Sequence, residues 1–166
     1  EFVGIMLGDG NLNKSSNCIT IVGSLEEFDY YNGYVIPLIK DLFNVNPKLR
    51  YRNDRNGIYI DFNSKEVMDY LSKDIGLVRG DKRYAHVPEI IKSNSQFSRN
   101  FLRGLFDTDG CLKFSKQARQ NNYYPRIQFC FSDVPFAQEV ISLLENVGFK
   151  IGMWRDSRFN GLIFYK

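Results

Sequence analysis

Apolar positions along the chain recur first at helical and then at strand spacing, and the whole alternation restarts partway through. Residues 1–9 (EFVGIMLGD) are apolar, with small residues spaced as on a helix, and Gly10 reads as a left-handed cap. Residues 11–22 break into polar stubs and a β-branched run, CITIV, ending in Gly23-Ser24. From Leu25 to Phe43 apolar residues return at helical spacing (Phe28, Tyr31, Val35, Leu38, Ile39, Leu42), with Pro37 expected to kink the helix. KLRYRND and GIYIDF read as strands joined by a turn near Arg55-Asn56-Gly57. SKEVMDYLSK reads as a short helix with Ser64 as N-cap, and the polar, turn-rich residues 75–97 read as a connector.

The pattern then starts again. Residues 99–109 (RNFLRGLFDTD) form a helical pattern stopped by Gly110. The strands CLKFSKQAR and RIQFCFS follow, then a helix from about Val134 to Val147 and a closing hairpin, FKIGMWRDSRFNGLIFYK. GIMLGDGNL at 4–12 aligns with GLFDTDGCL at 104–112, and YRNDR-NGIYI at 51–60 aligns with WRDSRFNGLIF at 154–164. The chain therefore reads as an α+β fold of two α-β-β-α-β-β repeats, residues 1–80 and 99–166, with a connector at 81–98.

Composition narrows the chemistry. A single histidine, His86, argues against Ser-His-Asp, Cys-His and multi-histidine metal sites. Cys18, Cys111 and Cys130 have no CxxC spacing and suit packing in a reducing compartment. No apolar run approaches the roughly 18 residues of a membrane span, so an intracellular protein is expected. With 22 Lys+Arg against 19 Asp+Glu, the net charge of +3 permits a nucleic-acid partner without pointing to one. Distribution has to decide.

The two repeat-opening helices carry the chemistry. Gly4 and Gly8 are four apart, as are Gly104 and Thr108, a stripe along which two helices can approach backbone to backbone. Each helix ends in Asp-Gly, at Asp9-Gly10 and Asp109-Gly110. A carboxylate there opposes the helix dipole, and two side by side repel each other. A divalent cation between them removes both penalties, and carboxylates with backbone carbonyls and water suit Mg²⁺. The strands add a basic face: Lys113, Ser115, Gln117 and Arg119 share one side by period two, as do Arg126 and Gln128, and Lys48, Arg50 and Arg52. Such side chains read base edges in a major groove, whereas Arg55, Arg155 and Arg158 at hairpin tips suit phosphate contacts.

FVGIMLGDG at 2–10 and LRGLFDTDG at 102–110 resemble the two signature motifs of monomeric, two-motif LAGLIDADG homing endonucleases. The resemblance implies a pseudo-two-fold fold with the motif helices at its centre and two antiparallel four-stranded sheets forming a saddle over double-stranded DNA. It implies a Mg²⁺-dependent double-strand break with 3′ overhangs at a long asymmetric target, Mn²⁺ substituting and Ca²⁺ binding without cleavage. An intron-encoded, archaeal or organellar monomer is the usual setting, with intron RNA as a second partner. The family's metal-binding acid falls on Asp9 and Asp109, and its backbone carbonyl on Gly8 and Thr108. The motif's first acid is present as Asp107 but replaced by Leu7, so Asp107 receives no catalytic role. Lys82 and Lys113 are candidates for the family's basic residue near the scissile phosphate. Gly23-Ser24 and Ser132-Asp133 stand where many members have a Gln-Lys or similar polar pair, a departure from the pattern. The same fold serves RNA maturases and DNA-binding regulators that have lost the acids. A phosphoryl-transfer enzyme and a protein-binding repeat are weaker alternatives, because there is no P-loop and the strand faces are basic.

Overall fold

A computed structural model of the chain describes residues 1–52, 56–116, 123–152, 155–156 and 162–163. It opens with helix α1 (Phe2–Gly8), then strands β1 (Gly10–Leu12) and β2 (Cys18–Ser24). A helical run over 25–43 begins as a 3₁₀ turn and continues through α2 (Phe28–Tyr30), a π-turn (Tyr31–Val35) and α3 (Ile36–Phe43). Strands β3 (Lys48–Tyr51) and β4 (Gly57–Asn63) precede α4 (Lys65–Asp69) and a π-turn over Tyr70–Asp74. A 3₁₀ turn (Lys82–Tyr84), α5 (Glu89–Lys92) and α6 (Ser95–Asp109) lead into β5 (Gly110–Lys116) and β6 (Tyr123–Phe129). Helix α7 (Val134–Asn146) and the short strands β7 (Arg155–Asp156) and β8 (Leu162–Ile163) complete the order.

The first half forms an antiparallel four-stranded sheet in the order β1-β2-β4-β3. Its alternation is regular: Ile19, Ile21, Ile58 and Ile60 are fully buried under the helices, while Thr20, Tyr59 and Asp61 belong to the other face. In the second half the described strands pair as two antiparallel ladders, β5-β6 and β7-β8. One core joins the halves, because Ile5 of α1 and Phe101 and Leu105 of α6 are fully buried between them.

Local sequence explains most boundaries. Ser64 caps α4 by accepting from the Val67 amide at 3.2 Å. Ser24 and Glu27 form a reciprocal capping box, and Asp133 caps α7 through the Phe136 amide at 2.8 Å. The two positions where the resemblance calls for a polar pair are thus used as helix caps. Pro37 lies in the first turn of α3, directly after a π-turn. Lacking an N–H and crowding the preceding turn, it is accommodated by the wider π-turn at Tyr31–Val35.

Two expectations are corrected. Helix α6 starts at Ser95, four residues before the expected start, because the Asn94 side chain accepts from the Gln96 and Phe97 amides. Gly10 is not a left-handed cap but opens β1, while Gly110 stops α6 as expected, in an extended conformation with φ −88° and ψ 158°. They are small for another reason. A Cβ at Gly10 would lie 2.5 Å from Met6 Cα, and one at Gly110 would run into Phe106. Among the described residues, no helix is long and apolar enough to cross a membrane.

Candidate metal centre

Helices α1 and α6 cross at the middle of the molecule in its most extensive helix–helix contact. The small-residue stripe makes this possible. A Cβ at Gly4 would collide with the Phe101 carbonyl and lie 2.7 Å from the Leu105 nitrogen. A Cβ at Gly104 would collide with the Glu1 carbonyl, and one at Gly8 would overlap the Thr108 side chain. Backbone therefore lies on backbone at Gly4, whereas at Gly8 a threonine fills the gap.

This packing brings the two helix ends together. Asp9 is the C-cap of α1, and its N–H donates to the Ile5 carbonyl. Asp109 is the last residue of α6, and its Cγ lies 3.5 Å from where a Gly8 Cβ would project. The Asp109 carboxyl thus reaches across to the end of α1. Thr108 turns its hydroxyl back onto the Gly104 and Leu105 carbonyls at 3.2 and 3.1 Å.

Lys82 completes the arrangement from a distant part of the chain. Arg79 bridges to Leu12 of β1, and the Gly80 amide donates to the Leu12 carbonyl at 2.7 Å. Gly80 then turns with φ +84°, a conformation costly for any residue with a Cβ. The next turn carries Lys82 Nζ to the carbonyls of Leu7 (3.1 Å) and Gly8 (2.6 Å). An ammonium at a helix C-terminus satisfies orphan carbonyls and complements the dipole.

Electrostatics follow from burial. Asp109 is pushed up to about 6, first by desolvation and then by the Asp9 charge, with Lys82 opposing. Burial also raises Asp9, opposed chiefly by a hydrogen bond from Tyr31. Burial lowers Lys82, while Asp109 and Asp9 favour its charge. The centre thus holds two desolvated carboxylates facing one ammonium. Among the described residues no cluster of three or more His, Cys, Asp or Glu occurs, so a cation here rests on two carboxylates, main-chain oxygens and water. That oxygen-only set fits a hard divalent ion.

Other candidate residues fall elsewhere. Lys113 is exposed on β5 opposite Arg126, three residues along the strand from Gly110 and roughly 10 Å away by strand rise. It does not join the carboxylates, and Lys82 does. Gln128 is half-buried opposite Cys111, and the Arg126 Nε is buried without a hydrogen-bond partner among the described residues. Lys48 is exposed on β3. Arg50 is held in an ion pair with Asp61 at 2.6 Å, and Arg52 lies just past the end of β3, its amide donating to the Gly57 carbonyl. For Ser115 and Arg155 only the strand backbone is described, in β5 and β7. Arg55, Gln117, Arg119 and Arg158 lie outside the described residues. Asp107 belongs to another group, its carboxylate 4.0 Å from Arg103.

Helical spacing alone marks Tyr31 only as a core position. Its phenol donates to Asp9 Oδ2 at 2.6 Å. One signal was available: a hydroxyl on an otherwise apolar stripe, in the helical run that follows Gly23.

Residues 96–161 match the family model of the LAGLIDADG-like domain. A stretch of 117 residues, 68% of the chain, is 37% identical to part of the replication factor C small subunit of Methanocaldococcus jannaschii. The chain spans about 6% of that protein's length. Among solved structures, the chain is similar to the homing endonuclease I-DmoI in complex with DNA and Mn, with a TM-score of 0.65 at 17% identity over 98% of this chain and 85% of that one. It is also similar to the LAGLIDADG meganuclease I-AabMI bound to uncleaved DNA, with a TM-score of 0.58 at 12% identity over 99% of this chain and 76% of that one. The fold is that of the LAGLIDADG meganucleases.

Proposed function

We propose that this chain is a site-specific DNA endonuclease of the LAGLIDADG homing type that cuts both strands of a long asymmetric target in a Mg²⁺-dependent reaction. The observation carrying this reading is the carboxylate pair itself. Two helices packed main chain to main chain each end in an aspartate, and Asp109 reaches over Gly8 toward the end that bears Asp9. Burial of these charges favours occupation by a cation. The solved relatives, crystallised with DNA and with Mn, Mg or Ca, support the reading.

In this mechanism Asp9 and Asp109 hold the metal, with the Gly8 and Thr108 carbonyls as further oxygen donors. A divalent cation held there would supply the Lewis acidity to activate water for in-line attack and to neutralise charge on the leaving 3′ oxygen. Lys82 holds the Leu7 and Gly8 carbonyls in place and supplies positive charge beside the scissile phosphate. The outer faces of the strands grip the duplex, with Lys48, Arg50, Arg52, Lys113, Arg126 and Gln128 as the contacts in the described residues. Residues 1–80 and 99–166 act as the two half-site repeats of a monomer, joined by 81–98, with an intron as the genetic setting.

The test is cleavage of a randomised-target plasmid library with Mg²⁺, with Ca²⁺ and with EDTA. Magnesium-dependent cutting at one long site supports the proposal. Asp109→Asn should abolish cutting and leave Ca²⁺-supported binding of that site intact. Wild-type cleavage by Asp109→Asn would overturn the mechanism.

A further inference from the structure

The two carboxylates are not equivalent. Asp9 accepts the Tyr31 phenol at 2.6 Å, within the range of a charge-assisted O–H···O⁻ bond. The same hydroxyl lies 3.3 Å from the Val22 carbonyl, a weaker second acceptor. Tyr31 is 1% exposed and sits in the π-turn, so its ring has little freedom to move. The ring lies across Gly23, where a Cβ would come within 2.5 Å of Cζ and 2.9 Å of the hydroxyl oxygen. Only a glycine at 23 lets the phenol pass to Asp9.

Nothing comparable supports Asp109, which accepts no side-chain hydrogen bond among the described residues. The corresponding place is apolar. Counted from the N-cap Ser24, Tyr31 is the seventh residue on, and the seventh residue after the N-cap Asp133 is Val140, which is fully buried.

We infer that Tyr31 is a positioning residue for Asp9 alone, so that the half-site built on Asp9 depends on a phenol and the half-site built on Asp109 does not. This rests on the nuclease reading above. The hydrogen bond occupies Oδ2 and restrains rotation of the carboxylate, and among the described residues Oδ1 accepts no side-chain hydrogen bond. Among the described residues no side-chain hydrogen bond orients Asp109.

The experiment compares wild type with Tyr31→Phe, which keeps the ring and removes one oxygen. Mn²⁺ binding to the protein alone is followed by electron paramagnetic resonance, and strand-resolved cleavage is followed on the target recovered from the library. Thermal unfolding controls for folding. The expected result is Mn²⁺ affinity weakened by roughly tenfold and one DNA strand cut roughly tenfold more slowly, with the other strand within about twofold, so that nicked DNA accumulates. Gly23→Ala, which displaces the phenol without removing it, should give the same strand bias. Equal slowing of both strands, or no change in Mn²⁺ affinity, overturns the inference. A wild type that cuts no DNA but loses Mn²⁺ affinity on Tyr31→Phe overturns the nuclease reading and leaves the role of Tyr31 standing.

Discussion

The ammonium of Lys82 lies 2.6 Å from the carbonyl oxygen of Gly8, although 74 residues separate them in sequence. A residue in the connector is therefore part of the end of the first helix. The same ammonium is the positive group that favours ionisation of Asp9 and Asp109. Lys82→Met keeps the aliphatic stem and removes the charge, leaving two carbonyls and two carboxylates without it. The expected loss is about 1–3 kcal/mol of folding stability in denaturant titration, partly recovered by adding Mg²⁺. A variant as stable as wild type would show that the contact contributes nothing net.

Asp109 gives a pH dependence of definite sign. Its folded pKa of about 6 lies above the ordinary carboxylate value, so between roughly pH 4 and 6 the folded state binds a proton that the unfolded state has released. Metal-free stability from this group is present below pH 4 and is lost as pH rises through 6. Asp109→Asn should flatten that part of the stability–pH curve, as read by thermal unfolding in EDTA. Cation binding has the opposite trend: Mn²⁺ affinity should fall as pH drops below about 6, because a proton and a metal compete for one carboxylate.

The helix crossing predicts two unlike outcomes from two similar substitutions. Gly8→Ala meets the side chain of Thr108, so exchange to Gly8→Ala with Thr108→Gly should recover much of the loss in a double-mutant cycle. Gly4→Ala meets the Phe101 carbonyl and the Leu105 nitrogen, and no side-chain change can make room. Both single variants should lose about 1–3 kcal/mol or more by denaturant titration, with rescue confined to Gly8.

Arg50 and Asp61 pair on the strand face that the nuclease reading turns toward DNA. Asp61→Asn removes a negative charge from that face and frees the guanidinium, so affinity for random-sequence duplex should rise. Arg50→Gln should lower it. Both differences should shrink between roughly 50 and 200 mM salt in an anisotropy titration. No change in either variant would place DNA on another surface.

Much of this arrangement was legible from residue spacing. The strand faces, the caps at Ser64 and the glycine stripe needed only period and size. Gly10 was not legible in this way, because Gly after a helical run usually marks a left-handed turn, and here it marks a close approach to the preceding turn. Tyr31 was hidden for a related reason. Helical spacing says which residues point inward but not which of them meets a carboxylate 22 residues earlier, and the π-turn shifts the phase of that face. Lys82 could be suspected from the resemblance, but its partners depend on how the connector docks on β1.

The main-chain contact at Gly4 also separates two properties that could otherwise drift together. With backbone against backbone, the spacing of Asp9 and Asp109 is insensitive to side-chain change elsewhere, whereas the strand faces carry side chains that can vary freely. On the nuclease reading, such a molecule can acquire a new target sequence while the stagger between its two cuts stays constant.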